Sequence, residues 1–201
     1  MRRHVLLTAA AGFCVAVSVL AARQQLSRRD ADVAERKIAT IVQHANMKPG
    51  KIAKPVRTSF TESELNAYLK FRGNEQLPKG VVDPWVTIGG ERRVTGRAVV
   101  DLDEVRKSKP RSWFDPAAYL TGTVEVTATG MLRTADGKGT FELESASVGS
   151  LPVPKSVLQE LVSYYSRTPD APDGFDLDKP FELPAKIREV EIQRGAATII
   201  Q

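Results

Sequence analysis

The sequence is poor in the residues that most often carry chemistry, since it has one cysteine, Cys14, and two histidines, His4 and His44. A single cysteine cannot close an internal disulfide, and so few ligands argue against Cys/His metal clusters and Cys/His nucleophile pairs. A Ser-His-Asp triad would have to use His44, and no G-x-S-x-G motif supplies its serine. We therefore expect no catalytic residues and no metal site, and we predict that the protein is not an enzyme.

Phosphate-binding loops of the G-x-x-x-x-G-K-[ST] and G-x-G-x-x-G types are also missing, so we expect no nucleotide cofactor. Basic residues number 29 and acidic residues 24, and the two signs are interleaved along the chain. The resulting net charge of +5 is too mild to indicate a nucleic-acid partner. This balance is typical of an ordinary solvated surface.

The N-terminus begins with a short basic segment followed by a long uncharged one. Arg2 and Arg3 precede residues 5–22, which carry no charge and are mostly apolar. An uncharged helix of this length partitions into hydrocarbon, while the arginines favour the cytoplasmic face. Residues 1–22 are therefore predicted to be a signal peptide or a membrane anchor. The rest of the chain is predicted to work in the periplasm or cell envelope.

The sequence leaves open whether this segment is removed. Cleavage after Ala21 would place Val19 and Ala21 at the small-residue positions of a signal-peptidase site. The uncharged run is also just long enough to span a bilayer and remain as an anchor. Cys14 is not expected to carry a lipid, because the bulky Phe13 directly before it does not fit lipoprotein processing.

Helical patterns occur in three places. Apolar residues recur at helical spacing over residues 30–47, which predicts an N-terminal helix. Thr61 and Glu64 form a capping-box pattern that opens a second helix. A third helix is predicted after Pro154, because proline suits the first turn of a helix and an apolar stripe follows it.

Between the second and third helices the period changes to 2. Apolar or small residues alternate with polar ones over residues 94–102 and 123–133, which predicts strands with one covered and one solvated face. Asp136 and Gly137 form a turn signal, so residues 122–148 are predicted to form a long antiparallel hairpin.

The order of elements predicts an α+β fold, with a long antiparallel β-sheet packed against two or three helices. We divide the chain into a signal or anchor segment over residues 1–22, an N-terminal helix and linker over residues 23–54, and an α+β domain over residues 55–201. This length supports one domain with a core of its own.

Two groups of acidic residues are candidates for cation binding. One ends a predicted strand and the other crowds a loop rich in Gly and Pro: Asp101, Asp103 and Glu104, then Asp170, Asp173, Asp176 and Asp178. The spacing in the loop does not match the D-x-D-x-D-G calcium motif. We expect a solvated strand end and an exposed loop, with no metal bound at either.

A basic and aromatic segment is a candidate for docking on a membrane surface. Clustered cations favour anionic lipid, and tryptophan favours the bilayer interface. The alternative is a basic loop whose aromatic side chains fold back into the core. The residues concerned are Arg106, Lys107, Lys109, Arg111, Trp113 and Phe114.

Three segments carry a family resemblance. They are the helix opening at residues 61–66, the Gly-Ser-Leu-Pro-Val-Pro stretch at residues 149–154, and the ending from Leu183-Pro184 through Gly195 to a last apolar strand. With the alternating strands, they resemble the small bacterial envelope members of the tubular lipid-binding (TULIP-like) superfamily. The resemblance covers roughly residues 55–201. The chain departs from the lipoprotein members of that group because it lacks a lipoprotein cysteine site.

The resemblance implies a curved antiparallel sheet wrapped around a helix, with an apolar groove for acyl chains. Small residues such as Gly96, Ala98, Ala128 and Gly130 on the strand faces would leave room for a ligand or for a closely packed helix. The candidates for lining the groove or the core are Leu65, Tyr68, Leu69, Val157, Leu161 and Tyr165.

The resulting hypothesis is an exported, non-catalytic protein of the bacterial cell envelope that binds a lipid or amphiphile. The alternative is a structural or adaptor domain in the same place, with a filled core and a protein partner that the sequence does not identify.

Overall fold

A computed structural model of the protein describes residues 26–47, 54–73, 77–108, 121–167 and 172–201. The predicted signal or anchor segment, residues 1–22, lies outside these ranges. Within them, no helix combines the length and the apolar character needed to cross a bilayer.

The described chain folds into four helices and nine strands, which confirms the predicted α+β class. In chain order they are α1 (Arg28–Asn46), β1 (Arg57–Thr61), α2 (Glu62–Phe71), β2 (Val81–Ile88), β3 (Arg93–Asp101), α3 (Leu102–Ser108), β4 (Thr123–Ala135), β5 (Lys138–Val148), β6 (Leu151–Pro152), α4 (Lys155–Ser166), β7 (Phe181–Glu182), β8 (Glu189–Gln193) and β9 (Ala196–Ile200).

The strands form two antiparallel sheets. The large sheet has the order β2-β3-β4-β5-β6, with β7 also paired to β5, and the small sheet has the order β1-β9-β8. The predicted β4–β5 hairpin is confirmed, and its turn lies at Asp136 and Gly137. Both residues have positive φ, 51° and 83°, as a tight hairpin turn requires.

The main core cluster lies under α1 and not under the large sheet. Ala34 and Ile41 of α1 pack with Phe60 of β1, and all three are buried. The partly buried residues that pack against this cluster are Ile38, Leu65, Tyr68, Ala185, Ile187 and Ile199. The core therefore joins α1 and α2 to the small sheet.

Helix α2 starts with the predicted capping box. The Thr61 hydroxyl accepts a hydrogen bond from the Glu64 backbone N–H at 3.2 Å, and the Glu64 carboxylate accepts one from the Thr61 N–H at 2.9 Å. Two backbone donors of the first turn are thus satisfied.

Replacing Thr61 with alanine is expected to lower the free energy of unfolding by about 1 kcal/mol, because the first turn loses its side-chain acceptor. Thr61→Ser keeps the hydroxyl and should stay close to the wild-type value. Urea denaturation of the two variants checks this. Equal stabilities would show that the cap contributes nothing measurable.

Helix α2 lies along the outer edge of β2. The Glu62 carboxylate accepts a hydrogen bond from the Ile88 N–H, and the Asn66 amide bonds to both backbone groups of Val86. Four helical residues rise about 6 Å, and two strand residues span nearly the same distance. The helix and the strand therefore run side by side in opposite chain directions.

The small sheet contacts the large sheet at one end of the large sheet, where the β2–β3 and β4–β5 turns lie. The Thr134 hydroxyl on β4 bonds to both the N–H and the C=O of Val190 on β8. The Gly195 N–H donates to the carbonyl of Ile88, the last residue of β2. These bonds hold the two sheets together at what we call the hairpin end of the large sheet.

Candidate functional site

The large sheet has one face made almost entirely of apolar and small side chains, which we call the apolar face. Cross-strand partners share a face, so the register defines its members. They are Val81, Val86 and Ile88 of β2, Val94, Gly96, Ala98 and Val100 of β3, Val124, Val126, Ala128, Gly130 and Leu132 of β4, and Phe141, Leu143, Ala146 and Val148 of β5. The predicted alternation in β3 and β4 is confirmed.

The apolar face is incompletely covered at its centre. Ala98 and Ala128 lie on the two central strands, and both remain partly exposed. A fully covered central strand would bury side chains this small. At Gly96, an added Cβ atom would meet no atom of the described residues within 4 Å. The described residues therefore leave free space above the middle of the face.

The apolar face is filled toward the hairpin end. A Cβ atom at Gly130 would come within 2.6 Å of Cζ of Phe141, so this ring lies directly on the glycine. In the same way the ring of Phe181 lies on Gly139, and it also contacts the ring of Phe175 with centroids 5.7 Å apart. The glycines allow these close approaches, and the rings close this end of the face.

Two helices flank the open region. Helix α2 borders the β2 edge, and α4 packs beside β5 with Leu158 buried. Among the described residues, neither helix makes more than isolated contact with β3 or β4. In the described part of the chain, β3 and β4 therefore lie between the two helices, and we call this part of the apolar face the trough.

The opposite face of the large sheet is polar. Thr95 and Thr129 share a hydrogen bond at 2.9 Å, and Arg97 pairs with Glu125. Arg93 donates two hydrogen bonds to the Glu144 carboxylate, which lowers the pKa of Glu144. This face is suited to water, so the two faces differ sharply in polarity.

The predicted groove-lining residues fall in different places. Leu65 and Tyr68 pack against the core cluster under α1, and Leu69 is partly buried on the same helix. On α4, Val157 is exposed and Leu161 is partly buried. Tyr165 belongs to α4, but its side chain lies outside the described part of the structure. A role of these residues in lipid binding stays a prediction.

The predicted membrane-docking segment lies mostly outside the described residues. Lys107 is exposed at the end of α3 and pairs with Glu104 at 3.4 Å. Arg106 belongs to the same helix, but its side chain is not described. The four remaining candidates, Lys109, Arg111, Trp113 and Phe114, all lie beyond the described range. The docking role of the segment stays a prediction.

Several of the acidic candidates make local hydrogen bonds, and Asp170 lies outside the described residues. Asp101 accepts from the N–H groups of Asp103 and Glu104 and so caps α3, while Asp103 accepts from the Gly122 N–H. The N–H of Asp178 lowers the pKa of Asp176, and Lys179 adds to the effect. The described residues contain no group of three or more His, Cys, Asp or Glu residues placed to hold a metal ion.

A cleft of about 690 Å³ lies at the hairpin end, between β4–β5 and β8. Its charged lining includes Arg92, Arg133, Lys138, Glu189 and Glu191. Three of these residues already have ion-pair partners, in Glu142, Glu182 and Arg57. The cleft therefore lacks the single charge sign that would indicate a charged ligand of one class.

Some members of the apolar face were not predicted from the sequence. Strand β2, with Val86 and Ile88, was not among the predicted strands. Its alternation is broken at Asp83 and Pro84, where the pairing with β3 shifts register. The sequence feature that could have predicted β2 is the alternation of Val86, Thr87 and Ile88 directly before the Gly89-Gly90 turn.

Comparisons with known proteins show little similarity. No protein-family model and no curated protein matches the sequence. A crystal structure of lipopolysaccharide binding protein shows a weak structural likeness, with a TM-score of 0.23 and 15% sequence identity. The match covers 77% of this chain and 45% of that one, so this chain spans less than half the length of that protein. A TM-score this low does not establish a shared fold.

Proposed function

We propose that this is an exported, non-catalytic protein of the bacterial cell envelope that binds an acyl chain of a lipid or amphiphile on the apolar face. The observation that carries the proposal is the free space above Gly96, in the middle of a face that is apolar on every strand. The resemblance of the sequence to TULIP-like lipid binders agrees with this function.

The shape and chemistry of the trough favour an acyl chain over a polar ligand. The side chains of Val124, Val126 and Ala128 offer neither charge nor hydrogen-bonding groups. Each CH₂ group moved from water onto such a surface contributes about 0.8 kcal/mol, so a partly buried chain binds without any catalytic or charged residue. Free space in an apolar site is also costly when empty, because its lining lacks packing partners.

Export is the second part of the proposal. It rests on Arg2, Arg3 and the uncharged residues 5–22, which are typical of a signal peptide or an anchor. Either outcome places the α+β domain where envelope lipids are available.

Native mass spectrometry of the gently purified protein tests the binding. We expect an adduct with the mass of a phospholipid or related amphiphile, removed by organic extraction and restored by incubation with phospholipid vesicles. A protein that stays free of lipid after this incubation contradicts the proposal. That result would instead favour the structural or adaptor domain.

A further inference from the structure

The two ends of the large sheet differ in a way that suggests an orientation. The hairpin end is attached to the small sheet and is filled by Phe141 and Phe181. At the other end of the sheet, β2 begins at Val81 and β4 begins at Thr123. The strands β3 and β5 end there, at Asp101 and Val148. We call this the open end, because the described residues leave free space above Gly96 between it and the filled aromatic region.

The first residues of α1 lie on the side of the open end. Helix α2 follows β2 from Ile88 past Val86, so its C-terminus points toward Val81. The guanidinium of Arg28 lies 5.3 Å from the centre of the Phe71 ring, at that C-terminus. Arg72 also pairs with Asp32 and Glu35 of α1. The start of α1 is thus fixed to the end of α2 that is nearer the open end.

The sequence then brings a bilayer to this end. The uncharged run ends at Ala22, and α1 is capped at Ser27. Five residues span at most about 18 Å when fully extended. If residues 5–22 enter a membrane, its surface lies within this reach of the start of α1, and therefore beside the open end.

The open end also exposes aliphatic side chains. Leu151, directly after the β5–β6 turn, is 70% exposed, and Val82 on β2 is 47% exposed. Charges of both signs adjoin these strand ends, since Lys79 and Asp83 are both exposed and Lys107 pairs with Glu104. It is therefore the exposed aliphatic groups that a bilayer interface attracts.

We infer that the domain docks on a bilayer through its open end, with Leu151 and Val82 at the lipid surface. The acyl chain then enters the apolar face from the bilayer and stops at the aromatic residues of the hairpin end. This entry route rests on the proposed function, whereas the docking orientation can be measured without it.

Site-directed fluorescence on the full chain tests the orientation. Cys14→Ser gives a cysteine-free background, and Leu151→Cys and Val82→Cys each add one labelling site at the open end. Val42→Cys and Met47→Cys are matched controls on the second half of α1, with exposures of 48% and 62%. All four positions are exposed, so an environment-sensitive label should leave the fold intact.

The labelled proteins are reconstituted in vesicles of phosphatidylcholine and phosphatidylglycerol that contain a spin-labelled lipid as quencher. We expect labels at positions 151 and 82 to be quenched several-fold more strongly than labels at positions 42 and 47. Equal quenching at all four positions, stronger quenching of the controls, or no quenching at any position overturns the inference. A lipid adduct in native mass spectrometry is an independent readout, so failed docking and failed lipid binding are distinguishable.

Discussion

Replacing Gly96 with tryptophan is expected to abolish the lipid adduct while leaving the thermal unfolding of the lipid-free protein nearly unchanged. The position tolerates a side chain, because an added Cβ atom meets no described atom within 4 Å and the backbone needs no positive φ there. An indole would cover the neighbouring Ala98 and Ala128 and occupy the space that we assign to the acyl chain. Native mass spectrometry and a thermal melt measure the two effects.

The matched control lies on the same strand but on the other face. Val99 faces Val82 and Glu125 on the polar side of the sheet, so Val99→Trp places the same indole side chain away from the trough. This variant should keep its lipid. If Gly96→Trp retains as much lipid as Val99→Trp, the apolar face is not the binding site.

Gly130 shows why the choice of glycine matters. It lies on the same apolar face, yet a Cβ atom there would collide with the Phe141 ring and with the carbonyl oxygen of Glu142. The adjacent pairing of β4 with β5 already contains a register shift. A larger residue at Gly130 would therefore disturb the hairpin itself, and any loss of lipid would be uninformative about the site.

The sequence was sufficient to predict the elements whose pattern is local. β4 was recognisable because its inward residues from Val124 to Leu132 are apolar or small and its outward ones, apart from Met131, are polar. The second helix was recognisable because Thr61 and Glu64 form a capping box, and the structure shows both of its hydrogen bonds. These signals depend on neighbours within a few residues along the chain.

The parts that could not be predicted depend on distant neighbours. Leu65 and Tyr68 form an apolar stripe that would suit a groove as well as a core, and only the packing of α1 on the small sheet places them in the core. The same ambiguity applies to Gly96 and Gly130, which look alike in sequence. One is open and the other is covered, because Phe141 comes from the next strand.

Replacing Asn66 with alanine is expected to lower the free energy of unfolding by about 3 kcal/mol, since two buried backbone groups would lose their partners. Asn66 is only 1% exposed, and its side-chain amide forms hydrogen bonds with the backbone at the outer edge of β2. Its Nδ2 donates to the Val86 carbonyl and its Oδ1 accepts from the Val86 N–H, both at 2.7 Å. An asparagine on a helix thus replaces the missing neighbouring strand at this edge.

Ser63→Ala is the matched control, because Ser63 lies on the same helix, is only partly buried, and has no side-chain hydrogen bond recorded in the described structure. It should leave the urea midpoint close to that of the wild type, whereas Asn66→Ala should shift it well below. Amide hydrogen exchange adds a local readout, since the Val86 N–H should lose protection first in Asn66→Ala. If the two variants are equally stable, apolar packing of α2 is sufficient to stabilise its contact with β2. The amide would then only fix which residue of β2 lies beside Asn66. The position of α2 beside the trough would then depend on apolar contacts such as Ala67, which is fully buried on the same helix.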